Sequence, residues 1–376
     1  MNIVILGSAH PLRGGGISTF NERLAEVLQE QGHKVIIYSF SLQYPSFLFP
    51  GKSQFTDEPA PAGLIIKSVI NSINPLNWIS VGNNIKKETP DLVIVRFWLP
   101  FMGPCFGTIL RLVRKNRHTK VVAITDNVIP HEHRPGDLPF TKYFLKSADA
   151  FVAMSKDVLK DLSTLTSKPS VFSPHPVYDN YGPAVSKEEA CKHLGLDSDK
   201  KYILFFGFIR KYKGMDILLD AMKDERIRQA GIRLIVAGEF YDEEAPYRQQ
   251  IVDNDIAGSI HLFTSFIPNN EIRYYFSAAE LVVQPYRSAT QSGITQVAYH
   301  FEKPMVVTNV GGLAEVVPDG KTGFVTAPDP TDIANAILKF FTPGSLPDLQ
   351  QNIAREKEKY SWDTFTGNLF DIVGLK

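Results

Sequence analysis

The sequence predicts an α/β protein of two domains, each organised on a parallel sheet. Three observations carry that reading. At 376 residues the chain exceeds one ordinary core. Residues 282–317 hold two strand-turn-helix units back to back. Residues 2–40 form a strand-helix-strand unit with a glycine-rich connection, so strand and helix alternate in both halves.

The totals exclude several classes. Lysine plus arginine (40) balances aspartate plus glutamate (40), so no global field draws in nucleic acid or an acidic membrane. The two cysteines, Cys105 and Cys191, are far apart in sequence, which argues for a reducing compartment and against a disulfide framework. Met1 to Gly7 is a short apolar run without a basic leader and reads as a first strand, not a signal peptide. No apolar segment reaches the ~20 residues needed to span a bilayer. The expectation is a soluble protein, or one bound at a membrane surface.

Taken in order, Asn2 to Leu6 is a strand, Gly7 to Gly16 a glycine-rich turn, and Ile17 to Gln31 a helix with Phe20, Leu24, Val27 and Leu28 on its apolar face. Val35 to Phe40 is the next strand. A dinucleotide fingerprint is disfavoured here, because Gly14, Gly15 and Gly16 are consecutive and no acidic residue ends the second strand. Ser41 to Pro61 is a long irregular insertion of the kind that is usually functional or mobile. Asn83 to Glu88 closes a helix before the strand Asp91 to Arg96. Ile109 to Lys120 is an amphipathic helix and turn with Arg111, Arg114, Lys115, Arg117, His118 and Lys120, which is either a peripheral contact with an anionic membrane or a solvated face.

Val121 to Thr125 is a buried strand that delivers Asp126 and, beyond it, His131, Glu132 and His133 to the carboxyl edge of the sheet. Three readings stand: acceptor binding or base chemistry by Asp126 and His131, a metal site from His131, Glu132 and His133, or loop polarity. Metal is the weakest, since no Cys or distant His offers the remaining ligands. Leu145 to Leu162 reads as a strand and a helix capped by Ser155, with Val158, Leu159 and Leu162 inward. Ser163 to Ala184 carries four prolines and is placed as the hinge. His175 within it is either a ligand contact or a linker residue.

The second half begins with a helix at Lys187 to Leu194 and a strand at Tyr202 to Phe206. Leu234 to Ala237 and Ile260 to Phe266 are further strands. Leu281 to Val283 stops at Pro285, and Ser288 to Gly293 leads into a helix with Ile294, Val297, Ala298 and Phe301 apolar. Pro304 to Thr308 runs into Gly311-Gly312, with Glu315 in the first turn of the next helix. Two helix amino ends thus open at the carboxyl ends of neighbouring strands, where bare N–H groups favour an anion and phosphate above all.

Lys303-Pro304, Thr308 to Val317 and Asp319 to Phe324 resemble the donor-sugar signature of the retaining glycosyltransferases of family 4. The resemblance implies a GT-B fold: two Rossmann-like domains facing each other across a deep cleft. The implied domains are 1–170 for the acceptor, 171–358 for the nucleotide-sugar, and a helix at 359–376 returning to the first. It also implies that Gly207 to Leu219 grips a diphosphate, with Lys213-Gly214 aligned and Arg210 standing two places after the family's arginine position, which is Phe208 here. By the same resemblance Gly15 and Gly16 approach donor phosphate and acceptor, and Gln291, Ser292 and Gly293 open the donor helix. The family usually carries two glutamates separated by seven residues at this helix. Ala289 or Thr290, and Val297 or Ala298, stand at those places, with Gln291 or Gln296 as a neutral stand-in.

The function expected from the resemblance is transfer of a sugar, with retention, from a nucleoside-diphosphate sugar to a hydroxyl of a glycan, polysaccharide or lipid-linked precursor. No metal and no cofactor beyond the sugar nucleotide are expected, and the site would be cytoplasmic, at most peripheral on the inner membrane face. Asp197/Asp199 and Asp253/Asp255 do not end apolar strands, which speaks against a metal-dependent GT-A alternative. Arg210, Lys213, Asp126 and His131 are the expected catalytic residues. A nucleotide-sugar-binding relative without turnover and a sugar-nucleotide epimerase are the alternatives.

Overall fold

A computed structural model describes residues 1–13, 16–45, 54–56, 59–129, 135–289, 292–344 and 346–375. The chain divides into two compact units, Met1–Pro176 with Trp362–Lys376, and Val177–Ser361.

The first unit runs β1 (Asn2–Leu6), α1 (Gly16–Glu30), β2 (Lys34–Leu42), β3 (Ile65–Asn71), α2 (Pro75–Glu88), β4 (Leu92–Phe97), α3 (Gly103–Val113), β5 (Lys120–Thr125), α4 (Asp137–Leu145), β6 (Ala150–Ala153), α5 (Lys156–Leu165) and β7 (Ser170–Phe172). Its seven strands pair in parallel in the order β3-β2-β1-β4-β5-β6-β7. All six residues of β4 are buried, as expected of a strand covered on both faces by crossover helices. Ser155 caps α5 by accepting from the Val158 N–H, and Val158 and Leu162 are its buried positions.

The second unit runs α6 (Lys187–Leu194), β8 (Lys201–Phe206), α7 (Met215–Met222), α8 (Glu225–Gln229), β9 (Ile232–Ala237), α9 (Ala245–Asp253), β10 (Ile260–Phe263), α10 (Ile272–Ala278), β11 (Leu281–Gln284), α11 (Gly293–His300), β12 (Met305–Thr308), α12 (Leu313–Val316), β13 (Gly323–Thr326), α13 (Pro330–Phe340) and α14 (Leu346–Lys357). The sheet order is β10-β9-β8-β11-β12-β13, again all parallel. The last helix, α15 (Trp362–Asp371), packs within the first unit. Phe365 meets Phe20 edge-on at 5.5 Å, and Gln31 donates to Asp363 and Thr366 at 2.9 Å.

Several elements depart from the sequence reading. The division falls after Pro176 and not at 170/171, because β7 hydrogen-bonds onto β6 and belongs to the first sheet. The strand β3, the first half of α2 and the helix α4 carry no clean period and went unread. The predicted helix from Ile109 lies in α3, which begins at Gly103 and ends at Val113, followed by a 3-10 turn at Arg114–Asn116. The strand expected to reach Phe266 stops at Phe263, where its pairing with β9 ends. The helix after Gly311-Gly312 is a single turn, Leu313–Val316, cut short by Pro318. Of the insertion at 41–61, residues 46–53 and 57–58 lie outside the described residues.

Candidate active site

In both sheets the chain reverses direction beside the first strand, between β1 and β4 and between β8 and β11. The carboxyl ends flanking such a switch point are where an open α/β sheet binds ligands. In the second unit those ends carry the loop 207–214 and the amino end of α11.

Lys213 is the centre of that region. It closes a 3-10 turn, Lys211–Lys213, and is only 8 % exposed. Among the described residues none of the ion pairs uses it. Burial, and then the charge of Arg210, pull the ammonium's pKa down to about 7. Its Nζ lies 5.7 Å from the Tyr286 ring centre.

The backbone around Lys213 is held from several sides. Gly207 N–H donates to Ala237 O and Ile209 N–H to Glu239 O, both at 2.9 Å, while Arg287 N–H donates to Tyr212 O at 2.7 Å. The Arg287 guanidinium also grips Asp216 with two bonds of 2.6 Å. Gly214 has φ +68°, and a Cβ there would collide with the Pro285 carbonyl, so the turn into α7 presses directly on the end of β11.

At α11, Ser292 stands at the N-cap with extended backbone, but its hydroxyl makes no capping bond and lies 3.4 Å from the Tyr286 hydroxyl. Among the described residues the first-turn N–H groups of Gly293 and Ile294 are therefore left without a side-chain cap, the arrangement in which a helix amino end accepts an anion. Tyr178 packs on Gly293, whose added Cβ would stand 3.3 Å from the ring. A buried ammonium, a nearby guanidinium and an open helix end thus share one strand-end region, a combination suited to a polyanion.

The predicted residues divide accordingly. Arg210, Lys213, Ser292 and Gly293 lie in the loops after β8 and β11, whereas Gly312 caps only the single turn α12 and offers little dipole. Gln296 is 1 % exposed, with a buried Oε1 that has no hydrogen-bond partner among the described residues. It lies three residues after Gly293 and four before His300, on the α11 face that Tyr178 and Gly182 cover through Gly293 and the His300–Gly182 bond of 2.9 Å. Gly15, Gln291 and His131, with Glu132 and His133, lie outside the described residues.

In the first unit Asp126 is gripped by Arg96, with Nε to Oδ2 at 2.6 Å and Nη2 to Oδ1 at 2.8 Å. Arg96 is 4 % exposed, donates also to Gly16 O at 3.1 Å, and lies over the Phe20 ring at 4.3 Å. The pair ties the end of β5 to the start of α1. The sequence reading missed Arg96, although a lone cation near the end of an apolar strand was the signal. His175 is buried against Phe20, and burial, with Arg96's charge, drives its pKa to about 3, leaving a neutral ring whose Nδ1 donates to Pro176 O at 2.7 Å. In the basic cluster, Arg111 donates to Gly107 O and Tyr143 O, Arg114 pairs with Asp149, and His118 meets Asp91 at 2.9 Å.

Residues 14–177 match the family described as Glycosyltransferase Family 4, and residues 200–342 match Glycosyl transferases group 1. The chain belongs to the family 4 glycosyltransferases. This glycosyltransferase is 26% identical over 293 residues to an uncharacterised glycosyltransferase of Methanocaldococcus jannaschii, covering 77% of this chain and 76% of that one. It is 26% identical over 363 residues to a D-inositol 3-phosphate glycosyltransferase of Thermobifida fusca, covering 87% and 81%. Among solved structures, the Anabaena protein HepE in complex with UDP superposes with a TM-score of 0.74 at 15% identity over 100% of both chains. A sucrose-phosphate synthase of Thermosynechococcus elongatus does so with 0.73 at 16% identity over 99% of both. The glycosyltransferase therefore has the GT-B fold, with two parallel-sheet Rossmann-like domains. Among its described residues no helix is long and apolar enough to cross a membrane.

Proposed function

We propose that the second unit binds a nucleoside-diphosphate sugar and that the enzyme transfers its sugar, with retention, to an acceptor hydroxyl. The observation that carries this is Lys213: a buried cation that pairs with no carboxylate among the described residues, beside a second cation and a helix end whose N-cap side chain makes no capping bond. Burying a lone ammonium costs several kcal/mol, and a diphosphate is the ligand that offsets it. The Anabaena neighbour was solved with UDP and with UDP-glucose, which supports the class of ligand without fixing the base or sugar.

As the bond from the anomeric carbon to the phosphate oxygen breaks, negative charge grows on the diphosphate. Lys213, Arg210 and the Gly293 and Ile294 N–H groups are placed to stabilise it, the kind of fixed electrostatic contribution that is often the largest in catalysis. The acceptor oxygen bonds to the anomeric carbon from the face the phosphate leaves, and its proton passes to the departing diphosphate. In this reading the two protein cations carry the charge neutralisation, and Arg96 with Asp126 ties the start of α1 to the end of β5. Leu138 and Phe140, exposed at the start of α4 near Lys142 and Lys146, favour an acceptor presented at an anionic surface, such as a lipid-linked precursor.

The test is turnover of UDP-, GDP-, ADP- and dTDP-sugars in EDTA with a mixed acceptor panel, the product anomer being read by NMR. Transfer with retained configuration is expected. Free nucleoside diphosphate released without acceptor would indicate an epimerase, tight binding without any turnover would indicate a binding relative, and an inverted product would overturn the mechanism.

A further inference from the structure

Past their paired ends β8 and β9 continue side by side. Ile209 N–H donates to Glu239 O at 2.9 Å and Tyr241 N–H to Ile209 O at 3.0 Å, with Ile209 and Phe240 forming a parallel bridge. Ile209 is fully buried and Phe240 packs against the core of the unit. Side chains alternate along such a ribbon, so Phe208, Arg210 and Tyr241 project to the other side.

On that side the Tyr241 ring lies 4.3 Å from the Phe208 ring and 5.0 Å from the Arg210 guanidinium. All three are partly exposed, and none of the ion pairs among the described residues uses Arg210. An arginine held by no carboxylate samples many rotamers, at a cost of up to ~2 kcal/mol when a ligand must order it. Stacking on an aromatic face removes part of that cost before the ligand arrives. Arg210 is also close enough for its charge to be felt at Lys213, so the guanidinium resting on Tyr241 borders the same site.

We propose that Tyr241 is a positioning residue that holds Arg210 toward the donor diphosphate, with Phe208 backing the ring. This rests on the diphosphate reading of Lys213 and Arg210. It explains how an arginine can serve from position 210 while a phenylalanine occupies 208: the phenylalanine supports the tyrosine on which the displaced arginine lies.

The experiment measures calorimetric binding of UDP, GDP and ADP, and of their parent nucleosides, to the full chain carrying Tyr241→Phe, Tyr241→Leu, Arg210→Ala or the last two together. Tyr241→Phe is expected to bind the preferred diphosphate as the parent does. Tyr241→Leu should lose roughly three- to thirty-fold in diphosphate affinity, with nucleoside affinity unchanged and little further loss on adding Arg210→Ala. If Tyr241→Leu unfolds the chain, Arg210→Lys, which keeps the charge without the planar stack, should lose most of what Arg210→Ala loses. Wild-type diphosphate affinity in Tyr241→Leu or Arg210→Lys, alongside a clear loss in Arg210→Ala, overturns the positioning role and leaves the diphosphate site standing. An equal loss for nucleoside and diphosphate also overturns it. Wild-type affinity in both Arg210→Ala and Lys213→Ala removes the diphosphate site itself, and the proposal with it.

Discussion

Lys213 rests its ammonium on Gly207: a Cβ at residue 207 would stand 2.9 Å from Nζ, and 3.3 Å from Ile294 in the first turn of α11. The missing side chain at 207 is therefore what lets the cation and the helix end converge. Gly207 also has φ +97°, a backbone conformation that costs an L-residue about 1–3 kcal/mol. Gly207→Ala is expected to melt lower and, where folded, to bind the nucleoside diphosphate at least about ten-fold more weakly. Calorimetry on the folded variant checks this, and parental affinity would show that Lys213 is not seated on Gly207.

The low proton affinity of Lys213 has a consequence for stability. Its folded pKa, about 7, lies below the ordinary lysine value of ~10.4. Between those limits the unfolded chain binds a proton that the ligand-free folded chain does not, so Lys213 adds to stability as pH rises from about 7 to ~10 and penalises folding below that window. Lys213→Met should flatten that part of the profile, raise the melting temperature at pH 7 by about 2–4 °C per kcal/mol relieved, and abolish diphosphate binding. A variant that melts lower than the parent at pH 7 would mean that the ammonium is stabilised by the fold, against this account.

Arg96 is buried and holds the part-buried Asp126 in a bidentate pair, so each is expected to act through the other. Asp126→Ala leaves a guanidinium without its counter-charge and should cost about 3–5 kcal/mol, with Arg96→Met costing a similar amount and the double variant less than the sum. Urea melts of the three variants measure this cycle. Additive losses, or an Asp126→Asn variant of parental stability that has lost turnover, would instead make Asp126 a base acting on the acceptor.

Much of this was legible because the fold is written in periodicity and the donor loops in local motifs. The buried runs at 92–97, 121–125 and 232–237 could hardly be anything but strands covered on both faces, and Lys213-Gly214 and the turn into Gly293 stand out as local motifs at strand ends without any tertiary information. What could not be read depends on residues distant in sequence. The partner of Asp126 could not be read because Arg96 lies 30 residues earlier, and only the pairing of β4 with β5 brings them together. The burial of Gln296 was likewise not legible, since its place on the helix does not say which face of α11 is covered. The strand β3 was missed because as an edge strand it leaves Ile65 and Val69 exposed and breaks the alternation.

The amino end of α4 offers a separate check on the acceptor. Leu138 is 49 % exposed and Phe140 41 %, near Lys142 and Lys146. Flotation with vesicles rich in anionic phospholipid is expected to carry the protein at low salt, and Leu138→Asp with Phe140→Asp to abolish that without changing diphosphate affinity. No flotation on either kind of vesicle would argue for a glycan acceptor free in solution, and equal flotation on neutral vesicles would remove the anionic surface from the reading.

The most direct test of the central claim is proton uptake on donor binding. Calorimetric titration of whichever of UDP, GDP and ADP binds best, at pH 8 in two buffers of different ionisation enthalpy, counts protons taken from solvent. A diphosphate beside Lys213 raises its pKa, so close to one proton per ligand is expected at pH 8, fading below pH 6.5 and absent in Lys213→Met. Binding with no buffer dependence, at an affinity that Lys213→Met does not change, would contradict the assignment of Lys213 as the counter-ion of the leaving diphosphate.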